Sequence, residues 1–224
     1  MRLFDQIAKK GWLSQRCVLC YGCAHSQGFC DACSESMPII IRPCLRCGLP
    51  DAAPICGQCQ HHPPQFARAI CGLRYQWPVS DLMHRFKDQG DLAAGRSLAE
   101  CALRAQSLEW SAPLVPVPLH PAKLRERGFN QSERIARHIS TVTHAPVLCD
   151  IVYRTSAGIA QKSLGRAARL ANLSNVFRVE RKPPKTVVLV DDVLTTGATL
   201  GALARTLKQA GAESVYAWCM ARTP

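Results

Sequence analysis

The chain has 224 residues, 47% of them apolar and 6% aromatic, and its 28 Lys and Arg against 16 Asp and Glu give a formal charge of +12. That apolar share is enough to bury a core, which excludes general disorder, and the length suits one α/β domain plus a small module. No apolar run reaches the roughly 18 residues of a membrane span, and the start Met1-Arg2-Leu3-Phe4-Asp5-Gln6 turns polar too early for a secretory signal, so the expected address is the cytoplasm.

The first segment, 12–64, is dominated by cysteine. Of the thirteen cysteines nine lie between Cys17 and Cys59, and eight of those form four C-x-x-C pairs: Cys17/Cys20, Cys30/Cys33, Cys44/Cys47 and Cys56/Cys59. In a reducing compartment such pairs read as metal ligands rather than disulfides. A C-x-x-C turn brings two thiolates to one tetrahedral ion, and two turns close a four-cysteine site with no open position for water. The expectation is two structural zinc ions. The spacers of nine and eight residues suit local closure (17/20/30/33 and 44/47/56/59), and interleaved pairing stays open. Cys23 and His25 lie near enough to be spare ligands. The segment has few large apolar residues, so its fold should depend on metal. It ends in His61-His62-Pro63-Pro64, which reads as a linker to a second domain over 65–224.

From there strands and helices alternate, the pattern of a parallel α/β sheet with helices on both faces. Ala69–Tyr75 reads as a strand, Val79–Phe86 and Leu92–Gln106 as helices, and Leu114–Pro118 as a short strand. A basic loop, Lys123-Leu124-Arg125-Glu126-Arg127-Gly128-Phe129-Asn130-Gln131, precedes a helix Gln131–Ile139 capped by Asn130. Asp150–Tyr153 is a further strand candidate, and Arg166–Leu173 a basic helix. Thr186–Val190 is a buried strand, Thr199–Gln209 a helix stopped by Gly211, and Ser214–Met220 a last strand. The charge excess concentrates in 111–182, where twelve basic residues face four acidic ones, as expected where one region meets an anionic ligand.

The most informative stretch is Val187-Val188-Leu189-Val190-Asp191-Asp192-Val193-Leu194-Thr195-Thr196-Gly197-Ala198-Thr199. A buried strand delivers Asp191 and Asp192 to its C-terminal end. A Thr/Gly loop and a helix N-terminus follow. Backbone N–H groups of 194–199 and the hydroxyls of Thr195, Thr196 and Thr199 can surround a phosphate, and Gly197 lets the backbone come close. Paired acids at a strand end can accept hydrogen bonds from sugar hydroxyls and balance Mg2+ beside a polyphosphate. Ligands of open α/β sheets bind beyond such strand ends.

This stretch resembles the phosphoribosyl-pyrophosphate (PRPP) motif of type I phosphoribosyltransferases. With the two four-cysteine blocks, Val115-Pro116-Val117-Pro118, the Arg127-Gly128-Phe129-Asn130-Gln131 run, and Gln161, Arg169 and Asn172 in the segment before it, the whole chain resembles the ComF family, close to its GntX-like members. The resemblance implies a double zinc module on a phosphoribosyltransferase-type domain that binds PRPP with Mg2+, and a role in uptake, handling or utilisation of external single-stranded DNA in natural competence. It implies that Asp191 and Asp192 hold ribose hydroxyls, that Thr195, Thr196, Gly197, Ala198 and Thr199 hold the 5-phosphate, and that Val193 and Leu194 belong to the same binding site. Arg125, Arg127 and Gly128 fall at the pyrophosphate loop, and Gln161 and Arg169 in the flexible-loop segment. The alternative is a true transferase acting on an unidentified base or nucleoside. Its acceptor hood is expected within 66–110, and no residue is assigned as nucleophile, since phosphoribosyl transfer needs positioning and charge stabilisation more than a dedicated nucleophile. A third class is an adaptor whose zinc module docks a competence helicase or an uptake-channel component.

Overall fold

The computed structural model describes residues 16–24, 28–52, 54–106, 111–155 and 176–224. Two short helices lie in the cysteine segment, α1 (Asp31–Glu35) and α2 (Gly57–His61). Then come β1 (Ala69–Arg74), α3 (Val79–Asp88), α4 (Leu92–Ala105), β2 (Leu114–Pro116), α5 (Pro121–Arg127), α6 (Gln131–Thr143), β3 (Val152–Arg154), β4 (Phe177–Val179), β5 (Thr186–Leu194), α7 (Ala198–Gln209) and β6 (Ser214–Arg222).

Strands β1, β6, β5 and β2 form, in that order, one parallel sheet. The run Thr186-Val-Val-Leu-Val is β-branched and apolar on both faces, as a central parallel strand must be, and Val187 to Val190 are fully buried. On one face Val188, Val190, Trp218 and Met220 pack with residues of α3, α4 and α6. On the other Val187, Leu189, Val215 and Ala217 pack with Leu200, Leu203 and Leu207 of α7. The expected α/β class with helices on both faces is the fold observed. The α4 and α6 starts are fixed by side chains: Asp91 accepts from the Ala94 N–H at 3.0 Å, and Asn130 from the Ser132 N–H at 3.0 Å.

Both edges of the sheet are covered, which hides their unpaired backbone groups. Along β1 the link between the cysteine blocks lies antiparallel: the Ile40 N–H donates to the Gly72 carbonyl at 3.0 Å and Arg74 to Pro38 at 2.8 Å. Beside β2 the Leu114 N–H donates to Pro146, and Leu148 to Leu114, each at 2.8 Å.

Three local expectations need correction. The basic stretch read as a loop contains α5, begun by Pro121 at its first turn and ended by Gly128 at φ +79°. Basic residues masked a helix that buries none of its side chains. The strand expected over 150–153 is β3, and it pairs antiparallel with β4, which the sequence did not reveal, in a separate two-stranded sheet. Strand β5 runs four residues past Val190, so Asp191, opposite Cys219 of β6, and Asp192 are strand residues rather than the first residues after the strand. The basic helix expected over 166–173 lies outside the described residues. Among the described residues no helix is long and apolar enough to cross a membrane.

Candidate functional site

At the C-terminal end of β5, Asp191 Oδ1 accepts from the Ser132 hydroxyl at 2.8 Å and from the Asp192 N–H at 3.0 Å. Asp192 is 5% exposed, and its Oδ1 lies 3.0 Å from Lys87 Nζ. Its Oδ2 is buried with no hydrogen-bond partner among the described residues. Burial and the neighbouring Asp192 carboxylate push Asp191 up to about 7, against the pull of the Ser132 hydroxyl, the Asp192 amide and the Lys87 ammonium. Near neutral pH, Asp191 is therefore poised between acid and carboxylate. A buried oxygen without a partner is costly, and a donor hydroxyl or a cation would satisfy it.

The next residues form the loop into α7. Thr195, Thr196 and Ala198 are exposed, while Gly197 and Thr199 are half-buried. Gly197 takes φ +78°, a left-handed conformation that favours glycine, and as N-cap it has no side chain to offer, while the Ala198 N–H donates to Thr196 Oγ1 at 3.3 Å. At the N–H groups that follow, an anion would be favoured by both hydrogen bonding and the helix dipole.

Basic residues approach from α3 and α5. Arg127 donates to Gln131 Oε1 at 2.9 Å and lies 3.4 Å from Asp88, the neighbour of Lys87. The end of α3 therefore contacts both the Asp192 carboxylate and the Arg127 guanidinium. Arg125 and Gly128 are exposed at the end of α5. Gln161 and Arg169 lie outside the described residues. The imidazole of His120 accepts from the Ala122 N–H through Nδ1 at 3.1 Å, leaving Nε2 buried without a partner among the described residues.

The eight paired cysteines gather as two local groups, Cys17/Cys20/Cys30/Cys33 and Cys44/Cys47/Cys56/Cys59, with the ligand atoms of each within 4.8 Å of one another. Cys20 and Cys30 sulfurs are 3.7 Å apart, as are those of Cys47 and Cys56. A tetrahedral ion with metal–sulfur bonds of about 2.3 Å sets its sulfurs about 3.8 Å apart, so both groups fit zinc. Burial pushes the Cys44 thiol up, but amide donors including the Cys56 N–H, 3.3 Å from its sulfur, bring it down to about 6, and Cys17 falls likewise to about 6. Burial and the neighbouring cysteines push Cys33 and Cys59 well above the ordinary thiol range. One thiolate per group forms readily, and a dication is what would let Cys33 and Cys59 ionise. Cys23 belongs to neither group.

The phosphoribosyl transferase domain family matches residues 174–224, which include β5, the loop and α7. Over 206 residues the chain is 34% identical to the DNA utilization protein YhgH of Escherichia coli strain K12, covering 88% of this chain and 91% of that protein. It is 32% identical over 222 residues to Competence protein F of Haemophilus influenzae, covering 92% and 96%. The chain belongs to the ComF family. Competence protein ComFC of Streptococcus pneumoniae is a more distant relative, 28% identical over 156 residues, covering 69% of this chain and 67% of that protein. In this ComF-family chain the fold adds Lys87 and Ser132 to the residues singled out from sequence. No spacing rule could have found them, because they stand about 105 and 59 residues from the carboxylates they touch.

Proposed function

We propose that this protein binds PRPP with Mg2+ at the end of β5 and serves the uptake, handling or utilisation of single-stranded DNA. The observation that supports the binding site is the buried Asp192 Oδ2, without a partner among the described residues, on the strand that leads into the N-terminus of α7. Asp191 and Asp192 would accept from ribose hydroxyls, the loop Thr195–Thr199 would take the 5-phosphate, and Arg125, Arg127 and Gly128 would border the pyrophosphate. Mg2+ would supply neutralisation of pyrophosphate charge. Lys87 would pair with Asp192 while the site is free, and Ser132 would fix the orientation of Asp191. Zinc in the two cysteine groups would be structural, since four thiolates leave no open position.

The DNA role rests on the names of the relatives, DNA utilization protein and Competence protein F, together with the basic excess in 111–182. Phosphate contacts from Lys123, Arg125 and their neighbours would make binding strongly salt-dependent. The decisive experiment titrates the zinc-loaded protein with PRPP and Mg2+, with and without a single-stranded oligonucleotide. Saturable PRPP binding that is lost in Asp191→Ala/Asp192→Ala supports the site, and equal binding by that variant refutes it. Oligonucleotide binding indifferent to salt, or none, refutes the DNA arm. Release of pyrophosphate with a base or nucleoside present would favour the transferase alternative, whose acceptor hood would fall within 66–110.

A further inference from the structure

The second cysteine group is tied to the strand end that carries the phosphate loop. Arg222, at the end of β6, is 6% exposed. Its Nε donates to the Cys47 carbonyl at 3.1 Å and its Nη1 to the Leu194 carbonyl at 3.1 Å; Nη1 also meets the Thr223 carbonyl and hydroxyl. One guanidinium therefore spans from a cluster cysteine to the residue that enters Thr195–Thr199. All its acceptors are carbonyls or a hydroxyl, and no carboxylate pairs with it among the described residues. A closed four-thiolate zinc unit carries a net charge of about −2, so the loaded cluster supplies the counter-charge that a buried guanidinium needs.

The packing around this bridge is incomplete. A cleft of about 250 Å3 opens between the cluster and α7, bordered by Cys59, Pro63, Phe66, Gly197 and Arg205. Polar bridging rather than continuous apolar packing thus joins Cys47 to the loop entrance. The same cluster is seated on the sheet nearby, where the Ala69 N–H donates to the Arg46 carbonyl at 2.8 Å. The first cluster meets different elements: Arg85 of α3 donates to the Val18 carbonyl at 2.6 Å, and Gly28 abuts Ser97 of α4.

We infer that the second cluster is a metal-dependent brace of the phosphate loop, acting through Arg222 as a positioning residue. Metal in this cluster sets the conformation of 194–199, and metal in the first does not. The consequence for ligand rests on the PRPP reading above; the mechanical link does not. Arg222→Lys keeps the charge and the aliphatic stem but cannot span both carbonyls, and Arg222→Met removes both functions.

Hydrogen exchange of the full zinc-loaded chain decides the link. In Arg222→Lys, amides of 194–200 should exchange about tenfold faster or more, with 92–105 and 114–118 unchanged and two zinc ions retained. Cys56→Ser should loosen 194–200 as well, and Cys20→Ser should not. Ribose 5-phosphate, the probe of the loop, should bind about tenfold more weakly to Arg222→Lys, while inorganic pyrophosphate binds as before. Unchanged loop exchange in both Arg222 variants overturns the inference. So does loosening of the whole sheet together with the loop, or equal loosening by the two cysteine variants. If the wild-type protein binds neither probe, the PRPP reading fails while exchange still decides the brace.

Discussion

Asp191 and Asp192 hold two charges where the fold has little room for them. The unfolded chain would ionise Asp191 near the ordinary aspartate value, and the folded chain holds its proton to about 7. The folded state therefore binds this proton more tightly, and its contribution to stability falls as pH rises from about 4 to about 7, staying unfavourable above that. Asp191→Asn keeps an Oδ1 for Ser132 and for the Asp192 N–H while removing the charge. It should raise stability at pH 8 by about 1–3 kcal/mol in a denaturant titration, and abolish PRPP binding. For the ligand the sign reverses, because sugar hydroxyls need an ionised acceptor. PRPP affinity should weaken as pH drops below about 7, approaching tenfold per unit, with proton release visible by calorimetry in buffers of different ionisation enthalpy. Lys87→Met leaves the buried Asp192 without its cation and should destabilise the chain by about 2–4 kcal/mol, by the same denaturant measurement.

At the scale of elements, the sheet positions the site through close contacts that small residues permit. Gly72 of β1 lies against the backbone of Ala102 in α4, and a β-carbon there would overlap that backbone. Neither partner is a flexible side-chain tip, so Gly72→Ala should cost more than about 3 kcal/mol and displace α4, measurable as a fall in the chemical-denaturation midpoint. The central strands, α4, α6 and α7 were legible in sequence because period, β-branching and caps agree there: Thr186–Val190, the Ala/Leu-rich 92–106 and Asn130 each carry a local signal. Helix α5 and strand β4 were not. The first is exposed along its length, so no apolar stripe marks it, and the second has three residues and exists by pairing with β3.

For the whole molecule, the first cysteine group shares a core with the helices that follow it, whereas the second packs as a small cluster of its own. Cys17, Val18, Phe29 and Met37 join the same buried cluster as Leu82, Phe86 and Leu98. Metal analysis should find two zinc ions per chain. Stripping them with a strong chelator should lower the melting temperature by about 10 °C or more and loosen α3 and α4 together with the cysteine segment, since the apolar residues they share lose one wall.

The fold class is written in the sequence, and so are the candidate ligand groups. The eight cysteines in C-x-x-C pairs, the Asp191-Asp192 pair and the Thr/Gly loop each fall within a short span, so spacing alone picks them out. What surrounds them follows from chain packing: each cysteine group closes locally, Lys87 and Ser132 meet the carboxylates, and Arg222 joins Cys47 to Leu194. Those contacts link residues dozens to more than a hundred positions apart, and chain packing rather than local periodicity brings them within hydrogen-bond reach.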